Sequence, residues 1–364
     1  CLEALTKIAV VHRQSLKLKV LALTGSNGKT TVKEMLACIL PTSAFISHGN
    51  FNNQLGVPIN MMSLKSDNDF AVFELGANML GDIAHTAELV QPDITLINNI
   101  GPAHLGKFGS IEKIALAKGE IYQKLSPQGV AVINDDDRFS HFWDALVQHH
   151  EVLRYSSKHP ADVWASNVIS HEKDSYHFLL HFGHQNIAIQ LSVPGCHQVD
   201  NALAAASMAL AAGMSLEQIK QGLESFSGVQ GRLNFKVGLN HSVVIDDTYN
   251  ANAASMEAGL KVLTSQKGKK IFVMGDIGEL EHYAESEHAR VGKIAKELGI
   301  HELLAVGQQS QLAVKSFGQG AIHFHSQDEL LNYLKPHLSK DVSVLVKGSR
   351  SSKMENIVKQ IIQN

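Results

Sequence analysis

Short apolar runs of strand length alternate with amphipathic stretches of helix length along almost the whole chain, and this alternation leaves few folds open. Val20-Leu21-Ala22-Leu23 precedes a helical pattern that begins at Thr30; the runs 70–75, 94–97 and 130–133 follow, the last after a helical pattern over 111–125. Strands separated by helix-length connections predict a parallel sheet with crossover helices. The segment 164–193 departs from the pattern. Its period-two alternation through Tyr176-His177-Phe178-Leu179-Leu180-His181-Phe182, with Gly183 and Asn186 as turn formers, predicts antiparallel strands appended to the first domain. Helices are expected over 201–212 and 216–226. Past Ser227-Gly228-Val229-Gln230-Gly231 the alternation restarts, with runs at 243–245, 271–274, 303–306 and 342–346.

That Gly/Ser-rich stretch is the linker candidate. A chain of 364 residues also exceeds what one hydrophobic core supports. Two domains are therefore expected, 1–229 and 230–364. Hydrophobic residues at 44% and charged residues at 18% read as an ordinary globular protein. A net charge of -3 supplies no basic footprint, so nucleic acid is not an expected partner. Cys1, Cys38 and Cys196 are too few and too scattered for a disulfide framework or a zinc site, which points to a reducing, cytoplasmic setting. No stretch reaches the roughly 18–20 uninterrupted apolar residues of a membrane span, and membrane insertion is not expected. The chain begins at Cys1 without Met, and an upstream part is expected to precede it. A monomer is the expected oligomeric state.

Thr24-Gly25-Ser26-Asn27-Gly28-Lys29-Thr30-Thr31 lies between an expected strand and an expected helix. Such a turn offers backbone N–H groups and a helix N-terminus to an anion, with charge from Lys29 and a hydroxyl from Thr30 for a magnesium ion. The general phosphate-loop pattern would want Gly where Leu23 stands, so a chance Gly-Lys-Thr turn is the competing reading. Glu74 ends the apolar run 70–73, where open α/β sheets gather ligands; its alternative is a strand-end carboxylate in solvent. Lys118, on the helical pattern 111–125, reads by default as a solvated lysine, and His104 as an ordinary histidine among 20.

The shortened loop resembles the ATP loop of the Mur ligase superfamily, which also contains the folylpolyglutamate synthetases. Further strings match in order: Glu74-Leu75-Gly76-Ala77-Asn78, Gly101-Pro102-Ala103-His104-Leu105, Ala117-Lys118-Gly119-Glu120-Ile121, Gly231-Arg232, Asp246-Asp247-Thr248-Tyr249-Asn250-Ala251-Asn252 and Lys347-Gly348-Ser349-Arg350. The Asp-Asp-x-Tyr-Asn-Ala-Asn string resembles that of the branch that adds D-alanyl-D-alanine. The resemblance implies an α/β fold: a central phosphate-loop ATPase domain, mostly parallel with a small antiparallel sheet, then a Rossmann-like C-terminal domain.

The same resemblance implies ATP and two Mg²⁺ ions as cofactors, with UDP-N-acetylmuramoyl-tripeptide and D-Ala-D-Ala as substrates. ATP would be held by Gly25, Ser26, Asn27, Gly28, Lys29, Thr30 and Thr31, with Asn134, Asn201, Arg232 and Asp247. The metal ligands implied are Thr30, Glu74, His104 and a carbamylated Lys118, and Lys29, Lys118 and His104 form the implied catalytic set. Asn250, Asn252, Lys347, Ser349 and Arg350 would face the peptide substrates. A UDP-binding domain would precede this chain. Two rivals remain at this point: another amide ligase of the superfamily, and a nucleotide-binding module without ligase chemistry.

Overall fold

A computed structural model describes residues 1–103, 105–170 and 175–363. The chain divides into two compact units, Cys1–Gly101 with Phe108–Ser227, and Pro102–Lys107 with Gly228–Asn364.

The first unit is built on one sheet of nine strands: β1 (Lys19–Thr24), β2 (Phe45–Ile46), β3 (Phe70–Glu74), β4 (Ile94–Ile97), β5 (Val130–Asn134), β6 (Glu151–Ser156), β7 (Val163–Ser170), β8 (Tyr176–Phe182) and β9 (Gln185–Leu191). Their spatial order is β2-β3-β1-β4-β5-β6-β7-β8-β9. Pairing is parallel from β2 to β7, with β1 registered Leu21↔Val72 on β3 and Leu21↔Ile94 on β4. Val20 to Leu23 and Ile94 to Ile97 are buried, as strands covered on both faces must be.

The antiparallel strands β7, β8 and β9 do not form the separate small sheet expected from sequence. They extend the parallel one, because β6 pairs with β7 through Tyr155↔Val163 and Ser156↔Trp164. The helix Leu216–Ser225 packs along β9, and Glu224 accepts a bond from the Gln190 backbone N–H at 3.0 Å. The helix Lys29–Ile39 packs against His197–Ala212 and Leu216–Ser225, while Asp82–Val90 packs against Ile111–Gln123.

The second unit carries a six-stranded sheet: β10 (Asn234–Val237), β11 (Val243–Asp247), β12 (Lys269–Gly275), β13 (Glu302–Val306), β14 (Ala321–Phe324) and β15 (Val342–Lys347), ordered β10-β11-β15-β12-β13-β14. Only β10 runs antiparallel. Alternate residues of β11, β12, β13 and β15 feed two cores. Ile245, Phe272, Met274, Leu303 and Leu345 join one, and Val244, Ile271, Val273, Leu304 and Val344 join the other. That period of two means apolar helices lie on both faces, the arrangement of a doubly wound sheet.

Candidate active site

In the first unit the polar groups collect where β1, β3, β4 and β5 end. After Thr24 the chain turns through residues 25–28 into the helix Lys29–Ile39, with Gly28 at its N-cap in the left-handed region (φ 78°). Only glycine fits there, since a Cβ would also overlap the carboxamides of Asn201 and Asn98. The turn is braced on the segment after β4. Ser26 N–H donates to the Asn99 carbonyl at 2.9 Å and Asn27 N–H to Asn99 Oδ1 at 2.8 Å. Ser26 Oγ exchanges 2.9 Å bonds with the carbonyl and N–H of Gly101. Lys29 Nζ donates to the Gly25 carbonyl at 2.7 Å, folding the ammonium back over the loop, and Thr31 is buried beneath it.

Two oxygen donors meet beside this turn. Glu74 ends β3 and is buried; its Oε2 accepts from Thr30 Oγ1 at 2.8 Å and its Oε1 from Asn52 Nδ2 at 2.8 Å. Few protein oxygens beside a phosphate site suit Mg²⁺, which keeps waters and takes substrate phosphate as ligand.

Lys118 is buried on the helix Ile111–Gln123. Burial pushes its ammonium well below the ordinary lysine value, the positive charge of Lys29 pushes the same way, and the carboxylate of Glu74 opposes them. A neutral amine is therefore favoured at a site that also holds a cation and a carboxylate. Two residues along, buried Glu120 accepts from the N–H groups of Gly81 at 2.7 Å and Ala84 at 3.0 Å, at the start of the helix Asp82–Val90. His104 lies outside the described residues.

Asn134 and Asn201 converge on one residue that the sequence reading passed over, Asn98. Asn134 Nδ2 donates to the Asn98 carbonyl at 2.9 Å, and Asn98 Nδ2 donates to Asn201 Oδ1 at 3.0 Å. Asn98, Asn99 and Asn52 are all missing from the residues singled out in sequence. The available signal was position: Asn98 and Asn99 directly follow an apolar run, where a parallel sheet places its ligand groups.

The second unit gathers its residues at the ends of β11 and β15. The Arg232 guanidinium stacks 4.4 Å from the ring centroid of Tyr249, and Tyr249 N–H donates to the Gly231 carbonyl at 3.1 Å. Asp247 is buried and ion-paired with buried Lys347 at 2.6 Å; Lys347 Nζ also donates to the Asn250 carbonyl at 3.0 Å. Lys347 thus faces inward and fastens the turn that follows β11. Asn252 caps the helix Ala253–Ser265, accepting from Ser255 N–H at 2.8 Å in a reciprocal capping box. Ser349 Oγ lies 3.1 Å from the hydroxyls of Ser351 and Ser352. Asn250 and Arg350 are exposed, and Arg350 Nη1 reaches Glu355 at 2.9 Å.

Among the described residues, no cluster of three or more His, Cys, Asp or Glu side chains could hold a metal, and no helix is long and apolar enough to cross a membrane.

The family description "Mur ligase middle domain" matches residues 23–209, and "Mur ligase, glutamate ligase domain" matches residues 231–350. The chain is 39% identical over 369 residues to the UDP-N-acetylmuramoyl-tripeptide--D-alanyl-D-alanine ligase of Escherichia coli, an overlap of 99% of this chain and 80% of that one. Among solved structures it is similar to MurF from Acinetobacter baumannii, with a TM-score of 0.93 and 40% identity across 98% of this chain and 80% of that one. It is also similar, at a TM-score of 0.88, 40% identity and coverage of 98% and 79%, to the UDP-N-acetylmuramoylalanyl-D-glutamyl-2,6-diaminopimelate--D-alanyl-D-alanyl ligase of the same organism.

Proposed function

The chain belongs to the Mur ligase family, and we propose that it is the ADP-forming ligase that joins UDP-N-acetylmuramoyl-tripeptide to D-alanyl-D-alanine in cytoplasmic peptidoglycan precursor synthesis. The observation that carries this reading is the braced glycine turn with Lys29 over it and the Thr30–Glu74 pair beside it. Residues 1–229 act as the ATP-binding domain and residues 230–364 as the second domain of a monomer. The tripeptide ends in 2,6-diaminopimelate, a choice supported by the name of the Acinetobacter relative.

A carboxylate is a poor acyl donor, so amide formation in water requires its activation. The terminal carboxylate oxygen of the tripeptide attacks the γ-phosphorus of ATP, the bond to the β-phosphate oxygen breaks, and ADP leaves. The dipeptide amine then attacks the acyl carbon, the C–O bond to phosphate breaks, and the amine gives up a proton. Such a reaction asks the protein chiefly for positioning and charge neutralisation. The backbone N–H groups of residues 25–31 and the Lys29 ammonium meet the triphosphate. Arg232, held flat by Tyr249, and Asp247 serve the nucleotide from the second domain, and Asn250, Asn252, Ser349 and Arg350 line the peptide side. Lys347 serves that side indirectly, through the turn it fastens.

Two Mg²⁺ ions, when bound by Thr30 and Glu74 and by His104 and a carbamylated Lys118, neutralise phosphate charge. The donor set fits: two oxygen ligands touch one another, and Lys118 is the kind of buried, neutral-leaning amine that takes up CO₂ to become an anionic ligand.

The test is ADP release with ATP, magnesium, D-Ala-D-Ala and a tripeptide substrate ending in diaminopimelate or lysine. Release that needs both peptide substrates, prefers diaminopimelate and disappears in Lys29→Ala is expected. Release indifferent to the dipeptide, or undiminished in Lys29→Ala, overturns the proposal.

A further inference from the structure

We propose that Asn98 is a positioning residue for nucleotide binding: through a buried chain of side-chain hydrogen bonds it sets the phosphate loop and fixes the Asn201 carboxamide beside Gly28. This rests on the ligase reading above, and it gives a role to Asn98, Tyr155 and Gln198, which that reading leaves without one.

The chain has four members, all buried: Tyr155 (1% exposed), Asn98 (2%), Asn201 (4%) and Gln198 (6%). Tyr155 Oη lies 3.2 Å from Asn98 Oδ1 and 3.3 Å from the Asn98 carbonyl, two acceptors, so the hydroxyl donates. Burial pushes the Tyr155 phenol well above its ordinary value, so the proton it donates stays in place. Asn98 Nδ2 uses both its hydrogens, one to the Asn27 carbonyl in the phosphate loop and one to Asn201 Oδ1, each at 3.0 Å. Asn201 Nδ2 in turn donates to Gln198 Oε1 at 2.9 Å.

Every link runs in one direction. Flipping the Asn98 amide would set its oxygen against two other oxygens, Asn27 O and Asn201 Oδ1. Buried carboxamides do not tolerate such mismatches, because each unsatisfied group keeps its full desolvation cost. With Asn98 fixed, Asn201 must turn its oxygen toward Asn98. Its Nδ2 is held in turn by Gln198, and its oxygen is the Asn201 atom nearest the space a side chain at Gly28 would fill. Gly28 touches both carboxamides, so the loop's shape and the amide's orientation are set together.

The backbone of Asn98 completes the junction. Its N–H donates to the Thr24 carbonyl at 2.9 Å at the entrance to the loop, and its carbonyl accepts from Asn134. One residue therefore connects β1, β4, β5, β6, the phosphate loop and the helix His197–Ala212.

The test measures ATP affinity by calorimetry with magnesium, and melting alongside, for the unsubstituted chain, Asn98→Leu, Tyr155→Phe, Asn201→Leu and the Asn98→Leu/Asn201→Leu double variant. Asn98→Leu is expected to weaken ATP binding at least about tenfold, and Tyr155→Phe at least about threefold, because each loses one or more buried bonds that orient the site. The double variant should bind no more than about twofold worse than the weaker single one, since both act through one amide. Should Asn98→Leu fail to fold, Tyr155→Phe, which removes a single oxygen, carries the test. Variants with lowered melting temperature but unaltered ATP affinity would overturn the proposal and leave Asn98 a purely structural residue. No binding by the unsubstituted chain would overturn the ligase reading together with this one; full affinity in the variants overturns this one alone.

Discussion

Lys347→Met should destabilise the second unit far more than loss of an ordinary lysine. The Nζ atom sits 2.6 Å from Asp247 Oδ2, with the two side chains 3% and 9% exposed, and it also holds the Asn250 carbonyl at 3.0 Å. Removing one member of a buried ion pair leaves the other desolvated and uncompensated, which costs about 3–5 kcal/mol. Methionine keeps the length and apolar stem of lysine, so the cavity contribution is small and the loss reports the charge. With a urea slope of about 2 kcal/mol per molar, a loss of about 4 kcal/mol moves the unfolding midpoint of this unit down by about 2 M. Asp247→Asn should cost a comparable amount, because it leaves the ammonium buried without its counter-charge. Combining the two removes the imbalance, so the double variant should be more stable than the sum of the singles predicts by about 2 kcal/mol or more. Urea titration followed by circular dichroism on the four proteins measures this. Single losses below about 1 kcal/mol, or simple additivity, would refute the argument that these charges are held by each other and not by water.

Two further outcomes follow from other buried polar groups. Glu120→Ala should cost about 3 kcal/mol in urea unfolding of the first unit, since it strips charge-assisted acceptors from two N–H groups at a helix start, whereas Glu120→Gln should cost less by keeping one oxygen; no loss in Glu120→Gln would deny the charge any part. Buried His288 accepts from Ile277 N–H at 2.9 Å and contacts the Ala284 carbonyl at 2.7 Å, and burial lowers its pKa from the ordinary 6.5. Its unfolded form therefore binds protons first: the contribution is intact above pH 6.5 and is lost as pH falls from there through the lower folded value. Melting temperature between pH 7.5 and 5 should fall more steeply for this chain than for His288→Gln, and parallel profiles would contradict the assignment.

The parallel cores of both units were legible because their strands are continuous apolar runs, which only strands covered on both faces can be. Strands lacking that signature escaped notice. β2 spans two residues, β6 carries Arg154 in its middle, β10 alternates at an edge as Asn-Phe-Lys-Val, and β14 is mostly half-buried. The alternation in 176–182 predicted antiparallel pairing but carried no information on whether β7 would start a new sheet or continue the old one, because that depends on a two-residue contact with β6. At the site, motif spacing drew attention to Lys29, Thr30 and Glu74, since polar groups in a phosphate loop or at a strand end have recognisable chemistry, while only the family resemblance drew attention to Lys118, which by itself reads as a solvated helix lysine. Asn98 has none of that: its importance lies in what its two hydrogens reach across the fold. Likewise the string around Lys347 marked its neighbourhood, while only the fold shows that the ammonium points inward to Asp247.

A sheet of nine strands has two open rims, each a template on which a strand from another molecule could grow. One rim, β9, lies under the helix Leu216–Ser225, whose Glu224 occupies the Gln190 N–H. At the other rim β2 is two residues long, and the carbonyl that follows it, Ser47 O, already accepts from the Lys33 ammonium at 2.8 Å. The Glu224 carboxylate thus blocks strand addition at one position of the β9 rim, and the two-residue length of β2 leaves little template at the other.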